Sequence, residues 1–287
     1  MLVYPTFTSA IADTRARLQK NSRVVHTERW QGVNISSKPE MATHELLHHS
    51  IQVRMVEYGF DLERYQRDIR PNLPWADDHF LERVCGEPIN PGIQWANWPY
   101  GHSAARFLDD QGKFNHNYME RYWPKYANFV HPPSRTPDDF RKIREMSNFP
   151  ANSGIRYEYG DLRDVVKLLR DDPLTRQAYL PVWFPEDTGG GDKRAPCTLG
   201  YHFIMRDGRL DVTYYIRSCD YLRHFRDDIY LTVRLALWVI EECRRDSAIW
   251  EDVVPGIFVM HITSLHLFKN DFVNVYHNNV DLKSDEN

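Results

Sequence analysis

The chain has 287 residues and a formal charge of −4, from 36 lysines and arginines against 40 aspartates and glutamates. This balance argues against binding to the phosphate backbone of nucleic acid, and no apolar run reaches the roughly 18 residues of a membrane span. Four scattered cysteines form neither a disulfide framework nor a CxxC metal site, and no secretory signal begins the chain, so we expect a cytoplasmic protein with reduced thiols.

The first half of the chain predicts two helices and a long irregular region. Apolar spacing predicts one helix from Ile11 to Leu18 and another from Ala42 to about Val56. Residues 60–150 are rich in proline, asparagine, tryptophan and tyrosine. We interpret this segment as a loop-rich insertion that is ordered, because its aromatic side chains need burial.

The second half predicts a mixture of helices and strands. Asp161 can cap a helix that Asp172-Pro173 ends, and Asp207-Gly208 predicts a hairpin turn between two β-rich runs. The predicted strands are 179–184, 199–205, 210–216 and 256–268, and the predicted helices are 161–170 and 227–243. Since no βαβ repeat is present, the predicted fold class is α+β, a single domain over 1–287 with one large mixed sheet flanked by helices.

One short motif suggests a metal site. His44-Glu45-Leu46-Leu47-His48 matches H-E-x-x-H, and on a helix its two histidines would bind zinc with Glu45 as the base of a metalloprotease. The chain has 13 histidines, so a chance match is easy. The other interpretation is an amphipathic helix with solvated histidines.

Cys197 is a candidate nucleophile. It follows a glycine-rich loop and directly precedes a predicted strand, where a substrate can approach the thiol. Lys193 and Arg194 would lower the pKa of the thiol and favour the thiolate, which is the reactive form. The alternative is a buried structural cysteine.

The end of the second hairpin strand predicts an anion site. Arg217 and Ser218 can both bind a phosphate, and Asp220 adjoins them. Asp227 and Asp228 then open the next helix, where acidic side chains stabilise the N-terminus. We interpret Asp227 as such a capping residue.

Taken together and in order, these segments resemble the thymidylate synthase family. Pro196-Cys197 resembles the nucleophile segment of the family, and Arg217-Ser218-Cys219-Asp220 resembles its Arg-Ser-x-Asp stretch. Three further segments resemble family motifs: His44 to Leu47 its His-Glu-Leu-Leu helix, Asp172 to Arg176 its Asp-Pro loop, and Ser264 to Phe268 its Asp-x-His-x-Tyr segment. The resemblance implies a thymidylate synthase-like fold and 5,10-methylenetetrahydrofolate as the cofactor.

The resemblance also implies roles for the catalytic residues. The thiolate of Cys197 would add to C6 of a pyrimidine ring and make C5 a nucleophile toward the one-carbon unit. Tyr118, in a segment that resembles the Val-Tyr-Gly of the family, or a water would accept the C5 proton. Glu45 would position a water without any metal, which replaces the zinc interpretation.

A set of substrate-binding residues follows from the same resemblance: Arg23, Arg176, Arg217, Ser218, Asp220, Asp228 and His266. The three arginines of this set and Ser218 would hold the 5′-phosphate of a mononucleotide, and His266 would contact its sugar. Family members are homodimers, so Arg176 would reach the phosphate in the partner's site.

Asp228 stands where the family has an asparagine that reads uracil. An ionised carboxylate only accepts hydrogen bonds, which suits the amino group of cytosine, whereas uracil O4 would set two acceptors against each other. Asp228 therefore predicts deoxycytidylate (dCMP) as the substrate and an added role in catalysis. Phage members of the family that hydroxymethylate dCMP carry an aspartate there. If the chain is likewise phage-encoded, the expected location is the host cytoplasm.

The expected product is 5-hydroxymethyl-dCMP. Ala104 aligns with the tryptophan that flanks folate in the family, and the chain ends soon after Phe268, so we expect a pocket open to water. Water would then add to the methylene group in place of hydride. The alternatives are a dCMP methyltransferase that forms dihydrofolate, a CMP hydroxymethylase, a non-catalytic nucleotide-binding protein and, more distantly, the zinc metalloprotease.

Overall fold

A computed structural model of the protein describes residues 3–30, 33–126, 160–188 and 194–276. Its strands are β1 (Arg23–Val25), β2 (Arg29–Trp30), β3 (Val33–Asn34), β4 (Thr43–Arg54), β5 (Tyr179–Pro181), β6 (Thr198–Arg206), β7 (Arg209–Asp220) and β8 (Val254–Phe268). Six of them form one sheet in the order β1-β4-β8-β7-β6-β5, and β2 pairs only with β3. The β7–β8 pair is parallel and the other pairs are antiparallel, so the large sheet is mixed, as expected.

The helices connect and cover these strands. They are α1 (Phe7–Asn21), α2 (Leu62–Ile69), α3 (Trp75–Arg83), α4 (Gln94–Asn97), α5 (Gly101–Ala105), α6 (Tyr118–Tyr122), α7 (Leu162–Asp171), α8 (Phe225–Arg244) and α9 (Lys269–Tyr276). The prediction of an α+β domain is confirmed. No helix in these described segments has the length and apolarity that a membrane crossing requires.

The core lies between one face of the sheet and the long helix α8. Val212, Tyr214 and Ile216 of β7 are buried, while Thr213 and Tyr215 between them stay half-exposed, which is the alternation of a strand with one covered face. Phe258, Met260 and Ile262 continue this buried row on β8, and α8 contributes a long set of buried apolar side chains to the same core. The single core accounts for the single domain.

The hairpin and the two long helices of the second half form as predicted. Asp207 and Gly208 adopt φ of 50° and 68°, the left-handed pair that a tight turn between β6 and β7 requires. Asp161 caps α7 and forms a reciprocal capping box with Asp164. The strand predicted at 179–184 is shorter, since β5 ends at Pro181.

The helix predicted from Ala42 to about Val56 is wrong, because this segment forms the strand β4. His49, Ile51 and Val53 alternate as buried residues along it, and β4 pairs with β8 over nearly its whole length. Pairing with a neighbouring strand outweighs the weak helical spacing of the segment.

The described part of the predicted 60–150 insertion is more helical than expected. Asp61 caps α2, which buries Tyr65 and Ile69, and α3 follows after a short connection. These helices are short, so their apolar spacing gave too few turns to stand out from the surrounding loops. Residues 127–150 of the predicted insertion lie outside the described part of the chain.

Candidate active site

The candidate nucleophile sits on a turn that a neighbouring strand holds in place. Cys197 directly precedes β6, and the backbone N–H of Arg217 in β7 donates to its carbonyl oxygen at 2.9 Å. The Nε and Nη2 groups of Arg217 donate to the carbonyl oxygens of Pro196 and Ala195 at 2.9 and 3.0 Å. The predicted anion-binding arginine is therefore also the residue that fixes the cysteine turn.

The electrostatics of Cys197 differ from the prediction. Burial raises the pKa of the thiol, and the negative charges of Asp228 and Asp220 add to this effect. Arg217 and Arg194 lower the pKa but do not outweigh burial. The prediction that nearby cations leave a low-pKa thiolate is therefore wrong in net direction, because it left out desolvation; Lys193 lies outside the described residues.

Tyr118 lies close to Cys197, as the resemblance implied. Tyr118 begins α6 after the capping residue Asn117, and its hydroxyl accepts a hydrogen bond from Thr198 Oγ1 at 3.2 Å. Burial, followed by the negative charge on Cys197, raises the pKa of Tyr118 to about 12. The hydroxyl is thus neutral at physiological pH, and its hydrogen-bond partner Thr198 is the residue that directly follows Cys197.

Asp228 completes the group around the nucleophile. It lies in the first turn of α8, and Cys219 Sγ from β7 is 3.7 Å from its Oδ2. Burial raises the pKa of Asp228 to about 7, and the cation of Arg83 partly opposes this shift. The sequence argument treated this side chain as an ionised acceptor; near neutral pH it instead carries its proton about half of the time, so it can donate as well as accept.

Arg83 of α3 contacts this group through the Tyr118 ring and is bonded to His79, and neither residue was predicted from the sequence. The Arg83 guanidinium is 4.2 Å from the centroid of the Tyr118 ring, and its Nε donates to His79 Nε2 at 2.9 Å. Arg83 is 6% exposed, which is rare for an arginine. The four-residue spacing of the two side chains, next to Phe80, could have indicated a helix, but the segment was interpreted as loop.

Two sets of hydrogen bonds fix α3 against α8. The backbone N–H and the side-chain amide of Asn72, just before α3, donate to the two carboxylate oxygens of Asp227 at 2.7 and 2.6 Å. The hydroxyl of Tyr230 donates to Asp77 Oδ1 at 2.7 Å. Asp227 therefore serves as a tie between helices, and the interpretation that it caps its own helix is corrected.

Glu45 is not close to this group. On β4 it pairs across the sheet with His266 of β8, and three strand steps separate it from β6, about 14 Å at the usual strand spacing. Its carboxylate accepts a hydrogen bond from Ser264 Oγ at 2.7 Å and lies 3.5 Å from Arg23 Nη2. The helix expected for this segment does not form, and the water-positioning role that the family resemblance implies for Glu45 stays a prediction.

The strand β4 is also incompatible with the zinc site, which required His44 and His48 on one face of a helix. Residues four apart on a strand lie about 13 Å from each other, so His44 and His48 cannot share one ion as they would on a helix. The His44 ring instead stacks on Phe272, with 3.6 Å between the ring centroids. Within the described ranges, no group of three or more histidine, cysteine, aspartate or glutamate side chains could hold a metal ion.

The predicted substrate-binding residues separate into two groups. Ser218 and His266 are half-exposed on neighbouring strands, where His266 pairs with Asp220 and Ser218 pairs with Ser264. Arg176 is exposed just before the edge strand β5, and its carbonyl oxygen accepts a hydrogen bond from His202. Arg176 therefore lies apart from Cys197 within the same chain.

Asp220 has a structural part in the site. Its Oδ1 accepts from the backbone N–H groups of Leu222 and Arg223 at 3.0 Å each, and its Oδ2 accepts from the Arg223 guanidinium at 2.8 Å. These bonds fix the turn that leads from β7 into α8. Asp220 thus positions Asp228 through the backbone.

Aromatic rings line the side of the group next to α8. The Trp98 ring stacks on His224 with 4.7 Å between centroids and a 19° interplanar angle, and Trp75 lies 6.0 Å from Trp98 on its other side. The buried indole N–H of Trp98 has no partner among the described residues. Stacked rings with an unpaired donor suit a flat heterocycle that carries acceptors.

Comparisons with known proteins bear on the family of the chain. The family model described as thymidylate synthase matches residues 92–282. A protein of Bacillus phage SP01 named deoxyuridylate hydroxymethyltransferase is 27% identical over 227 residues, which cover 72% of this chain and 51% of that protein. The thymidylate synthase of Rhodopseudomonas palustris (strain BisA53) is 25% identical over 114 residues, which cover 39% of this chain and 35% of that enzyme. The chain thus spans about half or less of the length of these relatives.

Proposed function

Because the chain belongs to the thymidylate synthase family, we propose that it transfers a one-carbon unit to C5 of a pyrimidine mononucleotide. The substrate proposed is dCMP and the product is 5-hydroxymethyl-dCMP. The observation that carries this proposal is the position of Asp228, a half-buried carboxyl in one group with Cys197 and Tyr118.

The base edge of cytosine explains why a carboxyl is needed. Cytosine presents a basic ring nitrogen, N3, beside its N4 amino group, whereas uracil presents O4 beside N3–H. A neutral Asp228 can donate its proton to N3 and accept from the amino group. Uracil needs only an amide for its two hydrogen bonds, but cytosine gains from a group that can give up a proton. Asp228, with its pKa near 7, is such a group.

Cys197 is the proposed nucleophile. Proton donation from Asp228 to N3 withdraws electrons from the ring, which makes C6 open to attack by the Cys197 sulfur. The thiol must lose its proton first, because burial holds its pKa high. Arg217 and Arg194 stabilise the thiolate once it forms, and Tyr118 or a water accepts the C5 proton later in the reaction.

The one-carbon donor we propose is 5,10-methylenetetrahydrofolate, which supplies the methylene group when it is bound. The aromatic row of Trp75, Trp98 and His224 fits a flat ring of this kind, and the unpaired Trp98 indole N–H offers it a hydrogen bond. Ala104, which aligns with a tryptophan of the family, would leave this side of the pocket open to water, in line with a hydroxymethyl product. Glu45 has no part in this proposal.

For the phosphate and sugar we propose the residues that the family resemblance implies. Arg217, Ser218 and Arg23 would bind the 5′-phosphate and His266 the sugar, with Arg176 acting from the partner of a homodimer. The face of the sheet opposite α8 supports a dimer, since it carries half-exposed or exposed rings that contact one another: Tyr179, His202, Tyr215 and His261. Sedimentation equilibrium tests this part, and a monomer at the concentrations used for assays would contradict it. A cytoplasmic location belongs to the same proposal.

Deoxyuridylate is the second candidate substrate. The SP01 relative is named for deoxyuridylate, and a neutral Asp228 could donate to O4 of uracil while it accepts from N3–H. The methyl-transfer alternative keeps the same substrate residues and differs in the last step.

One experiment separates these candidates. The protein is incubated with methylenetetrahydrofolate and dCMP, dUMP or CMP, and the products are weighed by mass spectrometry while dihydrofolate is followed by absorbance. The proposal expects a hydroxymethyl product from dCMP, no dihydrofolate, and no product from Cys197→Ser. A methyl product with dihydrofolate would favour the methyltransferase, and a clear preference for dUMP would favour the second candidate.

A further inference from the structure

The buried guanidinium of Arg83 lies over the Tyr118 ring, and its charge acts on the Asp228 carboxyl that is proposed to read the base. We propose that Arg83 is a positioning residue that stabilises the carboxylate of Asp228 formed when the Asp228 proton passes to the substrate. This inference rests on the proposed function for its catalytic consequence, but the stabilisation itself is a property of the protein without substrate.

The location of Arg83 is fixed from three sides. His79 accepts from its Nε, the Tyr118 ring lies 4.2 Å beneath its guanidinium, and its own carbonyl oxygen accepts from the Trp123 indole N–H at 2.9 Å. The hydrogen bonds of Asn72 to Asp227 and of Tyr230 to Asp77 fix α3, which carries Arg83, against α8. A cation held this rigidly loses little entropy when it interacts with a new charge.

The groups that face Asp228 come from five elements or their edges. They are Arg83 from α3, Tyr118 from α6, Cys197 before β6, Tyr214 and Cys219 from β7, and Asp227 from α8 itself. Arg83 is the one positive charge in this set, while the others are neutral or negative. Burial and Asp227 oppose the ionised form of Asp228; the Arg83 charge favours it most, and hydrogen bonds from Cys219 and Tyr214 favour it as well.

The proton balance defines what Arg83 contributes. The O–H bond of Asp228 breaks, an N3–H bond forms on cytosine, and the electron pair stays on the Asp228 oxygen as a negative charge. An arginine keeps its charge throughout, so it attracts the product of this step more than the neutral carboxyl before it. Preorganised charge of this kind lowers the cost of the step without reorganisation.

The first test measures the protonation of Asp228 directly, in the whole chain without nucleotide. The side-chain carboxyl carbon of Asp228, assigned with Asp228→Asn, is titrated by carbon-13 NMR in the wild-type protein, in Arg83→Met and in Arg83→Lys. We expect its pKa to rise by roughly one unit in Arg83→Met and to stay near the wild-type value in Arg83→Lys. Equal pKa values in all three proteins would overturn the inference.

A matched control separates this effect from damage to the helix pair. Arg234 also lies between α3 and α8, with its guanidinium 4.5 Å from the Phe80 ring and an ion pair to Asp77. Arg234→Met should destabilise the interface in a similar way but leave the Asp228 titration unchanged. If Arg234→Met shifts the titration as much as Arg83→Met, the effect is structural and the inference is wrong.

The second test follows turnover of dCMP against pH. We expect Arg83→Met to lower kcat about tenfold at pH 7, with little change in KM, and to move the alkaline limb of kcat to higher pH. Arg83→Lys should restore most of kcat. An unmoved limb in Arg83→Met contradicts the inference, whereas absence of turnover by the wild-type chain contradicts the proposed function and leaves the NMR comparison to decide on Arg83.

Discussion

The Nε of Arg217 donates to the carbonyl oxygen of Pro196 at 2.9 Å, so an arginine of β7 holds the turn that carries the nucleophile before β6. This relationship gives one side chain two tasks, since the same cation also lowers the pKa of Cys197. An arginine that only bound phosphate would leave the reactivity of the free thiol unchanged when it is replaced.

Replacing Arg217 with leucine should therefore change the reactivity of Cys197 even when no substrate is bound. The pKa of Cys197 should rise further because a stabilising cation is removed, so less thiolate is present at a given pH and alkylation becomes slower. The measurement is the rate of Cys197 modification by iodoacetamide at pH 8, read by peptide mass. Arg209→Leu, on the exposed start of the same strand, is the control. An unchanged rate in Arg217→Leu would contradict the electrostatic role.

The stability of the protein should decrease from pH 4 to pH 7 because of Asp228. Its pKa is about 7 in the folded chain and 3.8 in the unfolded chain, so between these values the folded state binds more protons. A group of this kind contributes stability at low pH that is lost as the pH rises through the folded pKa. Asp228→Asn removes this contribution, so its Tm should depend less on pH and exceed the wild-type Tm at pH 8. Calorimetry at pH 5 and pH 8 provides the comparison, and parallel pH profiles for both proteins would count against a raised pKa.

Arg121 and Asp187 form a buried pair that fixes α6 near the candidate site. Two hydrogen bonds of 2.9 and 2.8 Å join the guanidinium to the carboxylate, and both side chains are almost fully buried. Arg121→Met leaves an unpaired buried charge, which typically costs about 3–5 kcal/mol of unfolding free energy. The double variant with Asp187→Leu should recover most of this loss. Urea unfolding measures both, and additive losses in the double variant would show that the pair is not coupled.

Glu45→Gln tests whether the catalytic site extends as far as β4. Since Glu45 lies three strand steps from β6, we expect its replacement to lower kcat on dCMP by less than about tenfold, a loss typical of positioning groups outside the chemistry. Ser264→Ala, which removes the hydrogen-bond partner of Glu45, should behave in the same way. A loss of a thousandfold in Glu45→Gln alone would restore the water-positioning role that the family resemblance implies.

Much of the second half of the fold could be predicted because its signals are local. The Asp207-Gly208 turn, the Asp161 cap and the apolar face of α8 each depend on residues that are close in sequence. Cys197, Tyr118 and Asp228 could be predicted as site residues because their types and spacing resemble one family; the structure brings these three near one another, and their roles stay a prediction.

The parts that could not be predicted depend on contacts that are distant in sequence. Leu46 and Leu47 have the spacing of a helix, but β8 from the end of the chain pairs with this segment and makes it a strand. The raised pKa of Cys197 results from burial, which composition does not report. Arg83 comes near Asp228 because α3 packs on α8, and the residues that join these helices, Asn72 and Asp227, are 155 positions apart in sequence.

The position of β8 in the sheet has a consequence for synthesis of the protein. Val254–Phe268 lies between β4 and β7, so the two halves of the sheet stay separate until this segment has left the ribosome. Until then, β4 and β7 each present an unpaired edge, which is open to association with other chains. Premature termination before Val254 would therefore yield two sheet fragments prone to aggregation, and not a smaller enzyme.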